Sequence, residues 1–321
     1  MVFGGRASTA LAARIADSLD VDLGSVESKT FSNGEVYTCF GESIRGADVF
    51  IVQSTCANEG EGMSPNDALM ELLLLIDAAK GASAHRIIAV SPWFGYARQD
   101  KKSRPREPIS GRVVASCLER IGVDRVLTMD LHSGQIQGFF DVPVDHMTAM
   151  PLLTQWVQDQ KYDREPVIVS PDAGNVKMAR NFARKIGCHW AVMEKERPAQ
   201  QVAAIGYVVG DVEGKTAVIA DDMIDTAGTL CAAAKTLREE GAARVVALAT
   251  HGVFSGPAYE RLPVEKSGIE RIVVTDTIPQ RPGAPDNIEV LSASGILTDS
   301  IRRIFTDDSV SEIFSGENQL F

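Results

Sequence analysis

The stretch Ala217-Val-Ile-Ala-Asp221-Asp222-Met-Ile-Asp225-Thr226-Ala227-Gly228-Thr229-Leu230 sets three carboxylates, two threonine hydroxyls and a glycine behind four small apolar residues. The apolar run reads as a buried strand, and unpaired charge at the end of such a strand is expensive. Residues that start helices follow. Free backbone N–H groups and the helix dipole at a helix N-terminus hold an anion, Gly228 permits close approach, and the hydroxyls of Thr226 and Thr229 add donors. Adjacent Asp221 and Asp222 would accept hydrogen bonds from vicinal hydroxyls. An anion beside vicinal hydroxyls describes a sugar phosphate; the bland counterpart is a helix N-cap next to two surface aspartates.

A second cluster is cationic. Arg98-Gln99-Asp-Lys101-Lys102-Ser-Arg104-Pro-Arg106 puts five basic residues in nine, inside a chain of formal net charge −11. The run is either a local anion trap or a solvated loop. The acidic balance of the whole chain argues against a general nucleic-acid or membrane-surface binder, because both need a basic face. Cys39, Cys56, Cys117, Cys188 and Cys231 are odd in number and show no C-x-x-C spacing, which points away from a disulfide framework or a zinc site and toward a reducing cytoplasm. The most apolar run, LMELLLLI, has eight residues against the ~20 of a membrane span.

Alternating elements position these groups. VFIVQS, HRIIAVSP, DRVLTMDLH, PVIVSPD, KTAVIADD, ARVVALATH and RIVVTDT are β-branched, strand-like runs. NDALMELLLLIDAAKGA and AAAKTLREEGA have helical spacing, with a glycine expected as the helix stop. Strands of nearly continuous apolar character alternating with helices predict an α/β fold with a mainly parallel sheet flanked by helices. At 321 residues and 45% apolar, two domains are expected. A faint internal repeat agrees: a shift of 119 sets Leu118, Gly122, Arg125, Val126 and His132 on Leu237, Gly241, Arg244, Val245 and His251. The expected division is 1–148, 149–299 and a C-terminal segment 300–321.

The motifs FSNGE (31–35), ESIRG (42–46), FGYARQDKKSRPREPI (94–109), DLHSGQIQGFF (130–140), SPDAG (170–174), DDMIDTAGT (221–229) and SVSEIF (309–314) occur in this order. The last but one, between strand and helix, is the fingerprint of the type I phosphoribosyltransferase fold, whose loop holds the ribose and 5-phosphate of phosphoribosyl pyrophosphate. Taken together, the motifs resemble the ribose-phosphate diphosphokinase family, also called phosphoribosyl pyrophosphate synthetases, of the class I kind. The resemblance runs from about residue 3 to 314. No Walker G-x-x-x-x-G-K-[ST] occurs, which excludes a P-loop kinase.

The resemblance implies two phosphoribosyltransferase-like domains and transfer of the β,γ-diphosphoryl group of ATP to the anomeric hydroxyl of ribose 5-phosphate, releasing AMP. Such transfer needs positioning and neutralisation of negative charge more than covalent help. By resemblance, Phe31, Asn33 and Glu35 form part of a neighbouring subunit's adenine site, and Arg98 and Gln99 meet ATP. Asp221, Asp222, Asp225, Thr226, Ala227, Gly228 and Thr229 bind ribose 5-phosphate. Asp172, Ala173 and Gly174 form the pyrophosphate loop. His132 and Asp172 face Mg2+, although a lone histidine at a strand end is ordinarily structural and imidazole is an unusual ligand for this ion. Lys195 and Arg197 are the catalytic cations of a mobile loop; without the family, EKER would be an ordinary charged turn. Asn33, Asn175 and Glu196 stand where relatives commonly have Asp, Gly and Arg, and Asn175 is expected to tolerate left-handed backbone. A cytoplasmic homo-oligomer, commonly a hexamer of dimers, is implied, with phosphate or ADP acting at a site that uses Ser43, Arg45 and Ser309. A phosphoribosyltransferase and a non-catalytic regulatory homologue remain as alternatives.

Overall fold

The computed structural model describes residues 1–196 and 205–314; for 195, 196, 205, 206 and 314 it describes the backbone only. The chain divides into two compact units. The first comprises Met1–Thr148, Asp276–Arg281 and the segment that begins at Ser292, and the second comprises Ala149–Thr275 and Pro282–Leu291.

The first unit holds β1 (Val2–Gly4), β2 (Leu23–Gly24), β3 (Val26–Thr30), β4 (Val36–Phe40), β5 (Asp48–Val52), β6 (Arg86–Ser91), β7 (Arg125–Met129) and β8 (Val144–Met147). Its main sheet has the order β2-β1-β5-β6-β7-β8 with every pair parallel, while β3 and β4 form a separate antiparallel hairpin. Helices α1 (Thr9–Ser18), α2 (Pro65–Gly81) and α3 (Ser110–Ile121) are the crossovers. Ser64 and Asp67 build a reciprocal capping box at the start of α2, with Pro65 at its first position. Leu72, Leu75 and Ile76 of α2 then meet Ile51, Ala89 and Val126 of the sheet in a fully buried core. Gly81, expected as the stop of this helix, lies inside it; the left-handed residue is Ser83, at φ 62°.

The second unit holds β9 (Pro166–Ser170), β10 (His189–Glu196), β11 (Ile205–Val209), β12 (Thr216–Ile224), β13 (Arg244–Gly252), β14 (Arg271–Thr275) and β15 (Ile288–Leu291). The sheet order is β11-β10-β9-β12-β13-β14-β15, parallel except for β11 at the edge. Around it lie α4 (Met150–Asp159), α5 (Val176–Ile186), α6 (Gly228–Glu239) and two short helices, α7 (Ala258–Arg261) and α8 (Val264–Ser267). The α/β fold with two mainly parallel sheets is thus present. The last helix, α9 (Ser294–Phe305), returns to the first unit and packs on α1, burying Leu297, Ile301 and Ile304. Residues 292–299 therefore group with the first unit, where the sequence reading placed them in the second.

The two sheets repeat one topology, with β2-β1-β5-β6-β7-β8 matching β10-β9-β12-β13-β14-β15. The shift of 119 residues read from the sequence lays β7 on β13, which is one strand out; the topological partner of β13 is β6. That sequence match reflects the likeness of successive helix–strand units, which share capping glycines and an Arg-led apolar strand.

Candidate active site

Ligands of doubly wound sheets sit beyond the strand carboxyl ends where the order reverses. In the second unit that point lies between β9 and β12, which pair in parallel. Here β12 runs through the carboxylate pair, with Asp221 opposite Ala249, and ends at Ile224. Asp222 is buried at 4% exposure and Asp221 is half-buried. Asp221 Oδ1 accepts from the backbone N–H of Asp222 at 2.9 Å and from Asn175 Nδ2 at 2.7 Å. Burial first, then the charge of Asp222, with Asp172 adding to it, holds the Asp221 carboxyl well above the usual carboxylate range. The pair therefore favours any occupant that donates hydrogen bonds or carries positive charge.

The loop after β12 turns sharply. Ala227 sits at φ 61° as the N-cap of α6, and no side chain caps the helix, so its first-turn amides are open to an anion. Thr226 and Thr229 are exposed beside them. Two residues not singled out in the sequence hold the loop: the Ser255 hydroxyl donates to Asp225 Oδ1, and Arg261 Nη1 donates to the Thr226 carbonyl at 2.9 Å. A Cβ on Gly228 would come within 3.2 Å of that guanidinium, so a larger residue there would press on the Arg261 side chain that holds the loop.

Beyond β9, Asp172 caps a short 3-10 turn over Ala173–Asn175, accepting from the amides of Gly174 at 2.9 Å and Asn175 at 3.3 Å. Asn175 has φ −98°, so the left-handed tolerance expected of it is not used; its side chain serves as the link to Asp221 instead. Lys195 lies on β10 opposite Gly206 of β11, so the EKER run begins on a strand rather than in a turn. The side chain of Lys195 and the whole of Arg197 lie outside the described residues.

In the first unit the FSNGE turn tips the β3–β4 hairpin. The Phe31 amide donates to the Glu35 carbonyl at 2.8 Å, and Asn33 Oδ1 accepts the Glu35 amide at 3.2 Å, which leaves the Asn33 side-chain amino group to donate elsewhere. Phe31 is 46% exposed, with the Tyr37 ring 5.9 Å away and Lys29 Nζ 4.8 Å from the centroid of Tyr37. The hairpin tip thus offers an aromatic face and two polar side chains to solvent.

Arg98 and Gln99 are exposed on the turn after β6. That turn is seated on α3, since the Gln99 carbonyl accepts the Gly111 amide and Gln99 Oε1 accepts the Ser110 hydroxyl at 2.5 Å. Asp100, which is buried, accepts from Gln135 Nε2 at 2.6 Å, tying this turn to the loop that carries exposed His132. The basic run that follows is exposed from Lys101 to Arg106, and Glu107 Oε2 closes it by accepting the amides of Ser103 and Arg104, each at 2.8 Å. Ser43 and Arg45 are exposed before β5, where Arg45 Nη1 reaches the Ser83 hydroxyl at 3.5 Å. Ser309 is held separately, by Ser311 and Arg303. A groove of about 940 Å³ along α3 is lined by Leu73, Ile109 and Val113 and, from the basic run, by Lys102.

Residues 1–122 match the family model for the N-terminal domain of ribose phosphate pyrophosphokinase, and residues 196–315 match the model for the phosphoribosyl synthetase-associated domain. The ribose-phosphate pyrophosphokinase of Chromobacterium violaceum is 48% identical over 99% of this chain and 95% of its own length. That of Caldanaerobacter subterraneus is 46% identical over 98% and 97%. The crystal structure of phosphoribosylpyrophosphate synthetase from Mycobacterium smegmatis superposes with a TM-score of 0.88 at 45% identity, covering 96% of this chain and 99% of that one. Both sheets are therefore of the type I phosphoribosyltransferase kind, and the chain belongs to the ribose-phosphate pyrophosphokinase family.

Proposed function

We propose that the protein makes 5-phosphoribosyl 1-pyrophosphate by moving the β,γ-diphosphoryl group of ATP to the anomeric hydroxyl of ribose 5-phosphate, with release of AMP. The observation that carries this reading is the junction of β12 and α6, where buried Asp222 and half-buried Asp221 adjoin the uncapped amides of a helix. The 5-phosphate sits on those amides and on Thr226 and Thr229, and Asp221 and Asp222 accept the ribose hydroxyls. Asp225, oriented by Ser255, completes the cradle. Phe31, Asn33 and Glu35 take the adenine, and Arg98 and Gln99 meet the phosphates of ATP. Lys195 and Arg197 neutralise the charge that spreads over the transferred group, Lys as a point charge and Arg as a fork.

Mg2+ is the proposed cofactor. Among the described residues no three or more His, Cys, Asp or Glu side chains are gathered into a metal cage. Asp172 is a single carboxylate on a loop of amides, and Mg2+ typically takes one or two carboxylates together with waters and substrate phosphates, so this donor set fits the ion. Asp172 and His132 would face it, and when bound it supplies neutralisation of the phosphate oxygens. We further propose class I membership, a homo-oligomer of the hexamer-of-dimers kind, and a phosphate or ADP effector site using Ser43, Arg45 and Ser309. No described helix is long and apolar enough to cross a membrane. The test is AMP release from ATP, ribose 5-phosphate and Mg2+, with phosphate varied; no AMP from the purified, folded protein would overturn the reading.

A further inference from the structure

In the first unit the strand order reverses between β1 and β5, the topological counterpart of the β9–β12 crevice. There the chain's own side chains fill the place. Gln53, fully buried after β5, accepts the Ala7 amide at 3.1 Å and donates to the Ala68 carbonyl at 3.3 Å. A Cβ on Gly5 would stand within 2.4 Å of the Gln53 amide, so this part of the loop after β1 must be bare. Glu71 of α2 is also fully buried, and Arg6 answers it twice, by its backbone N–H at 2.7 Å and by Nε at 2.6 Å. Asn58 Nδ2 fixes the Arg6 carbonyl at 2.8 Å.

The guanidinium is not spent on Glu71 alone. A group placed only to neutralise a carboxylate would present two nitrogens as a fork. Here Nη2 is buried without a hydrogen-bond partner among the described residues, and Nη1 reaches out to Thr30 Oγ1 at 3.1 Å. Thr30 ends β3 and directly precedes Phe31. The β3–β4 hairpin is a two-stranded ribbon outside the main sheet that packs through β4 on α2 and through Val26 and Phe40 on the core, and such ribbons depend on support of this kind. One end is anchored by Phe40, whose ring meets Phe3 edge-on at 4.7 Å. The other end is the exposed tip, and Arg6 supplies a bond to it from outside the hairpin.

We infer that Arg6 is a positioning residue for nucleotide binding: braced on buried Glu71, it sets the attitude of the hairpin tip that presents Phe31, Asn33 and Glu35. This rests on the assignment of that tip to adenine. Arg6→Lys keeps a positive charge for Glu71 but has one nitrogen and cannot also hold Thr30; Thr30→Val removes the acceptor at nearly constant shape. Each variant raises KM for ATP about two- to tenfold, the worth of one net hydrogen bond, with kcat and KM for ribose 5-phosphate within about twofold of the parent. The double variant is no worse than Arg6→Lys, because both changes break one bond. Hydrogen exchange of the full-length protein quickens at amides 26–40 and not in α2.

A Thr30→Val protein with parental hairpin exchange overturns the positioning role, as do additive effects of the two changes or faster exchange throughout α1 and α2. Phe31→Ala separates this from the functional reading. If it leaves KM for ATP unchanged, the adenine assignment falls, and the exchange data on Thr30→Val still decide whether Arg6 holds the tip.

Discussion

Asn175 Nδ2 lies 2.7 Å from Asp221 Oδ1, and this bond ties the loop after β9 to the carboxylate end of β12 across the point where the sheet order reverses. Asp221 already carries a raised pKa, from burial and from the charge of Asp222, so a donor to it stabilises the ionised form that ribose hydroxyls need.

Asn175→Ala should therefore raise KM for ribose 5-phosphate about three- to tenfold, the size of one net hydrogen bond, with a smaller change in kcat. Asn175→Gly should match Asn175→Ala, because φ at this position is −98° and left-handed freedom confers nothing. Steady-state kinetics of the two variants check this, and a glycine variant that equals the parent would contradict it.

The same carboxyl gives a stability prediction. A buried Asp whose pKa is raised in the folded state binds its proton more tightly there than in the unfolded chain, so stability falls as pH rises from the ordinary carboxylate range through the raised folded value. The cost is absent below the ordinary carboxylate range and grows as the pH rises toward the raised value. Asp221→Asn removes it and keeps an oxygen to accept from Asn175, so without divalent cation its melting temperature should exceed the parent's at pH 7.5, and the difference should shrink toward pH 4. Sugar binding should weaken in the same variant, an exchange of function for stability. Thermal melts across this range measure it; a less stable variant at neutral pH would show that Asp221 is well compensated.

The central loop was legible because its signals are local. The apolar run, the carboxylates and the turn residues of Ala217 to Leu230 all fall within one strand–loop–helix unit. Its supports were not: Ser255, Arg261 and Asn175 lie 30, 35 and 46 residues from the groups they hold, and nothing in a serine or an asparagine announces a distant partner. Seven strands were visible as β-branched runs. The short edge strands β2 and β15 were not, since few residues and half-exposed side chains give no run to see. The role of Glu71 was hidden in LMELLLLI, where a fully buried acid looks like one polar interruption of an apolar face.

Lys195→Ala should lower kcat about a hundred- to thousand-fold, or ~2.7–4 kcal/mol, with little change in KM for ribose 5-phosphate. The reason is that a preorganised cation matters most where the transition state gathers negative charge, and Lys195 is the proposed point charge there. Single-turnover AMP formation measures the chemical step. Near-normal turnover would move the catalytic role elsewhere.

The basic run after Asp100 offers a case where two effects oppose. Glu107 is an acid among cations, so removing its charge should help ATP approach; across roughly 8 Å of water a unit charge is worth about 0.5 kcal/mol. Yet its Oε2 accepts the amides of Ser103 and Arg104, and losing both leaves the turn open at about 1 kcal/mol for each bond. Glu107→Gln keeps an oxygen acceptor and drops only the charge, so KM for ATP should fall about twofold or less, and the change should vanish in high salt. Glu107→Ala loses both, and the turn term outweighs the charge term, so KM for ATP should rise several-fold and stay raised in high salt. Titrating ATP in both variants at low and at high ionic strength separates the two effects. If both variants lower KM alike, Glu107 acts through its charge alone and the turn it closes plays no part in ATP binding; if both raise it, the charge of Glu107 does not oppose ATP.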